Sequence, residues 1–267
     1  MTLENATLTI LSLGLVLLPS CSAEIGTGTG EGTGSVSFVC GTSGEIRYEA
    51  PQTRADGNTT RTLPETVIPE SDALRLEISN EAGLVAEYGT MAGYDQPLLT
   101  AGDYTARFTG GDPSAEGPEA AYFEAEHSFT VVARKASTET VSISLANSVV
   151  SVLVSQWFAD YYPVYNISIR TESGYTVSYS NSGTEPGTET SPVFVKAGTA
   201  LYFSGTATKT NGTEVSFPET MIAGTKARTW QTVSVNASQA AGGSIEIVLD
   251  DTPVDIKEVT IELNPDA

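Results

Sequence analysis

Histidine is almost absent from this chain of 267 residues: His127 is the only one. That excludes a multi-histidine metal site and leaves one candidate base for any nucleophilic triad. His127 stands in Glu124-Ala-Glu-His-Ser-Phe129, at a strand edge, and reads as a solvated side chain. Cysteine is nearly as scarce, with Cys21 and Cys40 alone, so no disulfide framework can hold the fold. Cations are few, 13 Lys and Arg against 33 Asp and Glu, for a net charge of −20. Such a chain is repelled by nucleic acid and by anionic membrane surfaces, and the excess serves solubility. No apolar run is long enough to span a bilayer; Ile10–Leu18 falls short.

The missing catalytic patterns narrow the field further. No nucleophile elbow, phosphate loop or dinucleotide fingerprint sits in a strand–turn–helix context. Calcium is the one metal whose oxygen ligands are to hand, at Asp250, Asp251 and Asp255 or at Asp112, Glu116 and Glu119. Without an Asp-x-Asp-x-Asp-Gly loop these read as solvated loop acids, so neither metal nor cofactor is expected. The chain is read as non-enzymatic.

What is present begins with the segment at 1–21. Ile10–Leu18 followed by Pro19-Ser20-Cys21 reads as a lipoprotein export signal, with Cys21 the lipidated first residue of the mature chain. A positive n-region is missing, and Glu4 has the wrong sign for one. Residues 22–34 form a Gly/Thr-rich flexible leash. The expected location is the outer membrane or cell surface, through the lipid anchor. Cys40 shares an alternating face with Val36 and Phe38 and reads as a small buried hydrophobe.

A hydrophobic content of 40% allows two real cores. Period-2 segments recur between turn residues, and no window in 35–146 keeps a helical period over three turns. Leu74–Ile78 and Leu84–Tyr88 flank Asn80-Glu-Ala-Gly83 as a hairpin. Residues 50–62 read as a long loop. Three ordered matches suggest a duplicated β domain. Leu76-Glu-Ile78 with Gly83 and Tyr88 falls on Ile167-Ser-Ile169 with Gly174 and Tyr179. Ala101-Gly102 falls on Ala197-Gly198, and Phe129–Leu145 aligns without gaps on Val233–Leu249. The expected fold is all-β: two tandem β-sandwich domains, transthyretin-like or Ig-like, at 35–146 and 147–267. Val254–Leu263 supplies a further strand with a bulge at Lys257-Glu258.

The densest aromatic patch, Trp157 to Tyr165, offers Trp157, Phe158, Tyr161 and Tyr162 as ligand-binding rings that could stack on a glycan. The same rings could instead fill the core or a domain interface.

With the lipobox, the Gly-rich leash into Gly34-Ser-Val-Ser-Phe38, the turn Leu99-Thr-Ala-Gly-Asp-Tyr104 and Phe129-Thr-Val131 together, the chain resembles a Bacteroidetes lipoprotein family catalogued as domain of unknown function 4493. That family is similar to fimbrillin-type surface proteins, lipoprotein precursors with two transthyretin-like β-sandwiches. In those pilins, proteolysis after an arginine frees a groove for a partner's donor strand. The resemblance thus implies Arg47, Arg54 and Arg61, in or near the loop after the first strand, as candidate processing sites. It also implies protein partners joined by β-strand addition. The leading expectation is an adhesive or fimbria-like subunit or accessory, with a glycan-binding module as the alternative.

Overall fold

The computed structural model describes residues 32–47, 60–237, 245–252 and 261–263. The export signal with Cys21, most of the leash, Arg54, Asp255 and the bulge at Lys257-Glu258 lie outside the described residues. Among the described residues no helix is long and apolar enough to cross a membrane.

The fold is all-β, of sandwich type. The first strands are β1 (Thr33–Ser43), the small hairpin of β2 (Glu45–Arg47) and β3 (Thr60–Thr62), and the longer hairpin of β4 (Arg75–Asn80) and β5 (Gly83–Tyr88). There follow β6 (Leu99–Thr100), β7 (Gly102–Gly110), β8 (Phe123–Val131), β9 (Ala136–Leu145) and β10 (Ser148–Val154). A short helix, α1 (Gln156–Tyr161), leads into β11 (Val164–Thr171) and β12 (Thr176–Ser180). The chain continues through β13 (Val193–Val195), β14 (Ala200–Thr208), β15 (Glu214–Gly224), β16 (Trp230–Ala237), β17 (Ile245–Thr252) and β18 (Ile261–Leu263).

Alternation sets the faces. In β4, Leu76 and Ile78 are wholly buried, and in β11 the inward set is Tyr165, Ile167 and Ile169. The strands of residues 33–145 run in the order β5-β4-β7-β8-β9-β1-β6. This one list folds over on itself, because β8 and β9 pair only through Phe123 with Leu145 and Glu124 with Ser144. Beyond that corner the strands part into two layers. Phe38 of β1 then meets Phe108 of β7 and Phe129 of β8 edge-on, at ring separations of 5.2 and 5.4 Å.

The later strands form a sheet in the order β12-β11-β14-β15 and another in the order β13-β10-β16-β17-β18. The pairing order of the first half recurs here. β1 runs parallel to β9 and β10 parallel to β16. A short antiparallel strand, β6 or β13, holds the other side of each first strand. Leu76 opposes Tyr88 in one hairpin, as Ile167 opposes Tyr179 in the other. Gly83 and Gly174 turn those hairpins at φ of 120° and 97°, which L side chains resist.

Two of the three sequence matches therefore fall on strands with the same place in the pairing order. The third does not. It lays β8 and β9 over β16 and β17, whereas β9 occupies the place of β16. Any two amphipathic strands in a hairpin share the same alternation, so a slip of one strand leaves the apolar pattern matched.

β10 is the strand that joins the two halves. Its run Ser148-Val-Val-Ser-Val-Leu-Val154 is buried on both faces except at Leu153. Val149 packs into the core of the first half, while Val150, Val152 and Val154 pack into that of the second. Phe194 and Trp230, on β13 and β16, also belong to the first core. The two sandwiches thus share side chains rather than meeting through a linker.

Phe194 is 0% exposed. Phe194→Ala should cost about 3–5 kcal/mol, by lost burial and a cavity. Urea denaturation at equilibrium measures this, and a loss below about 1 kcal/mol would show the two cores to be independent.

Candidate functional site

His127 lies where β8 and β9 have parted, with Nε2 3.0 Å from Glu139 Oε2 across the gap. The pair is half-buried and ties the two layers together. Among the described residues, no group of three or more His, Cys, Asp or Glu side chains is arranged to hold a metal ion. Cys40 packs against the first core beside Phe38. Burial pushes its thiol up to about 11, so it stays protonated and unreactive at neutral pH.

Two of the acids weighed for calcium, Asp112 and Glu116, have other partners. Asp112 accepts from the backbone N–H and the hydroxyl of Ser114, both at 2.7 Å. These bonds hold its carboxyl below the ordinary range. Glu116 reaches into the other half. Its Oε2 accepts from Thr171 Oγ1 at 2.9 Å and from Ser173 Oγ, and its Oε1 accepts from the Lys196 N–H at 3.0 Å. Gly117 and Phe194 exchange backbone hydrogen bonds beside it, at 2.8 and 2.9 Å.

A second carboxylate clasps the halves from another direction. Glu189 Oε1 accepts from Arg61 at 2.6 Å, Thr232 Oγ1 at 2.8 Å, Trp230 Nε1 at 3.1 Å, and Ser151 Oγ. The Arg61 guanidinium also lies over the Trp230 ring, 5.0 Å from its centre. Burial alone would raise the Glu189 carboxyl. The hydrogen bonds from Ser151, Thr232 and Arg61, with the charge of Arg61, outweigh it and hold the carboxyl low.

The structure places two of the three candidate processing arginines. Arg47 ends β2, where its backbone opposes Thr60, and Arg61 opposes Ile46 in β3. Cleavage after Arg61 would cut the strand that carries the clasp. Part of the expected loop at 50–62 is therefore paired strand.

The aromatic patch divides in the same way. Ser155 Oγ caps α1 by accepting from the Phe158 N–H at 3.1 Å. The helix turns Phe158 and Tyr162 inward, both 0% exposed, to meet Tyr165 and Phe217. These two side chains are core, which corrects the expectation that they contact a ligand. Trp157 and Tyr161, one turn apart, are 60% and 39% exposed. Exposed Val164 follows two residues after Tyr162 and lines a groove of about 530 Å³ with Asn166, Thr206, Thr208, Glu214 and Ser216.

The outward faces of the two four-stranded layers differ in chemistry. On β4, β5 and β7, Arg75 pairs with Glu77 and Glu87 at 2.8 and 2.6 Å, and Arg107 lies 3.9 Å from Glu77. On the corresponding layer of the second half, hydroxyls and an amide replace most of these charges. Ser168 Oγ and Ser178 Oγ are 2.9 Å apart across the strands.

The model of the family described as domain of unknown function 4493 matches residues 32–265. The chain belongs to that family. No curated protein matches the chain. Among solved structures, a candidate cell adhesion protein from Bacteroides eggerthii is similar at 11% identity and a TM-score of 0.41, covering 84% of this chain and 98% of that one. A fimbrial assembly protein from Parabacteroides distasonis gives 8% identity and a TM-score of 0.41, covering 85% and 100%. Candidate polysaccharide binding proteins from Bacteroides thetaiotaomicron give 9% and 0.40, covering 84% and 99%.

The Glu189 clasp makes stability depend on pH with a definite sign. A carboxyl held below its ordinary value of 4.5 contributes stability that is present above that value and lost as pH falls through the folded-state value. Glu189→Gln should lower the melting temperature at pH 7, and the gap from the parent should close in acid. Thermal melts between pH 7 and pH 3 check this; a gap that stays constant would remove Glu189 as its source.

Proposed function

We propose that this chain is a non-enzymatic, lipid-anchored cell-surface protein of adhesive or fimbria-like kind. The observation that carries the reading is the junction. Glu116, Glu189 and Arg61 serve to lock two sandwiches into one stiff body, and the only histidine ties two sheet layers. A stiff β body suits a protein that must transmit tension or hold a binding surface away from a membrane. Any polymerisation would proceed by strand addition at a sheet edge, with backbone hydrogen bonds supplying affinity. Among the described residues, β5 and β12 each have a strand on one side only.

Cell fractionation with surface biotinylation tests the placement. The parent should be labelled on intact cells and recovered with membranes, and Cys21→Ala should be released from them. The purified form should run as a ladder if it is a fimbria-like subunit and as a single species if it is a free-standing adhesin. A parent recovered unlabelled from the cytoplasm would overturn the reading.

A glycan-binding role is the second reading, and exposed Trp157 and Tyr161 favour it, set on a base fixed by buried Phe158 and Tyr162. Trp157→Ala should weaken retention on a glycan array at least tenfold while leaving the melting temperature within about 2 °C, as expected for a surface substitution. Loss of folding would instead make Trp157 a structural residue.

A further inference from the structure

The outward face of the β12-β11-β14-β15 sheet differs from the corresponding β5-β4-β7-β8 face of the first half. Alternation sends Tyr165, Ile167 and Ile169 inward, so Asn166 and Ser168 point outward between them. The strand register lays these out in rows. Ser180, Asn166, Thr206 and Ser216 stand side by side across the sheet, and Ser178, Ser168 and Ser204 form the next row. Neither row contains a charge. In the same place on the first half, the row reads Glu87, Glu77, Arg107 and Glu126, and it is charged throughout.

We propose that this neutral face binds an uncharged polysaccharide lying across the strands. The proposal shares its ligand class with the glycan reading above but places the contact on a different surface. Three observations carry it. A chain of net charge −20 keeps two adjacent rows free of charge, so the face selects for a neutral, strongly hydrogen-bonding partner and against ionic ones. Serine and threonine hydroxyls and the Asn166 amide both donate and accept, which matches sugar hydroxyls, and such short side chains lose little rotamer freedom on binding. The Ser168–Ser178 bond already fixes part of the array.

The geometry is also suited to a linear chain. Neighbouring strands stand about 4.8 Å apart, comparable with one sugar residue. The groove of about 530 Å³ lies over the Asn166–Thr206–Ser216 row and is walled by apolar Val164 and by Glu214. At the other margin, Arg170 bonds Glu219 at 2.7 and 2.8 Å and lies 4.5 Å from the centre of the Tyr202 ring, which closes off that end.

The test is affinity electrophoresis of the purified protein through native gels containing galactomannan, xyloglucan, yeast mannan or dextran, with alginate as the charged control. At least one neutral polymer should retard the parent, and alginate should not. Thr206→Arg should weaken retardation at least fivefold at an unchanged melting temperature. Thr206→Val and Asn166→Ala, which only remove hydrogen-bonding groups, should weaken it severalfold. Thr105→Arg, the same charge change on the other sheet, should leave it as in the parent. Retardation by none of the neutral polymers, or full retardation of the three face variants, would overturn the proposal. Loss in Trp157→Ala alone would also overturn it while leaving the aromatic reading standing.

Discussion

β10 has no face for water, and much of the molecule follows from that. A strand buried on both sides must be covered by two partners, and here the partners are the cores of the two halves. Val149 commits to one core and Val150, Val152 and Val154 to the other. Ser151, polar in mid-strand, is buried and needs a hydrogen-bond partner, since an unmet hydroxyl there costs several kcal/mol at the upper estimates. Glu189 supplies that partner, and the same oxygen gathers Thr232, Trp230 and Arg61. The burial of β10 and the Glu189 clasp are therefore two sides of one arrangement.

The charged residues divide between structural and solubilising work. Glu116 and Glu189 each satisfy hydroxyl or backbone donors across the junction, which is where removing one partner costs most. The ion pairs on the outward face of β4 and β7 are half-exposed and contribute little individually. Their effect is to keep that face wet and unsuited to association. The hydroxyl rows of the second half have no such protection, and the proposed polysaccharide site rests on that contrast.

Much of the fold was legible because half-buried strands advertise themselves by alternation. β4, β7 and β11 show it plainly, and the hairpin at Gly83 was readable from its turn. β10 was not readable, since a strand buried on both faces reads as a plain apolar run. α1 is only six residues long, too short to show a helical period, although Ser155 three residues before Phe158 is a cap signal. The clasp was hidden for a different reason. Arg61 and Glu189 are 128 residues apart, and nothing local marks either as a partner. Strand and helix periods alike put Trp157 and Tyr161 on one side and Phe158 and Tyr162 on the other, so which pair is core was decided only by the tertiary packing.

The parallel pairing of β1 with β9 also bears on how the chain reaches its fold. Ser37 and Thr138, hydrogen-bonded at 2.8 Å, are 101 residues apart, and Ser151 and Thr232 are 81 apart. The first strand of each half must wait for a strand near that half's end, so neither sandwich can close from its N-terminal part alone. Loop closure over such distances slows folding. A chain that closes late stays extended for longer after synthesis. The same delay leaves β10, the stickiest strand, uncovered until β16 arrives.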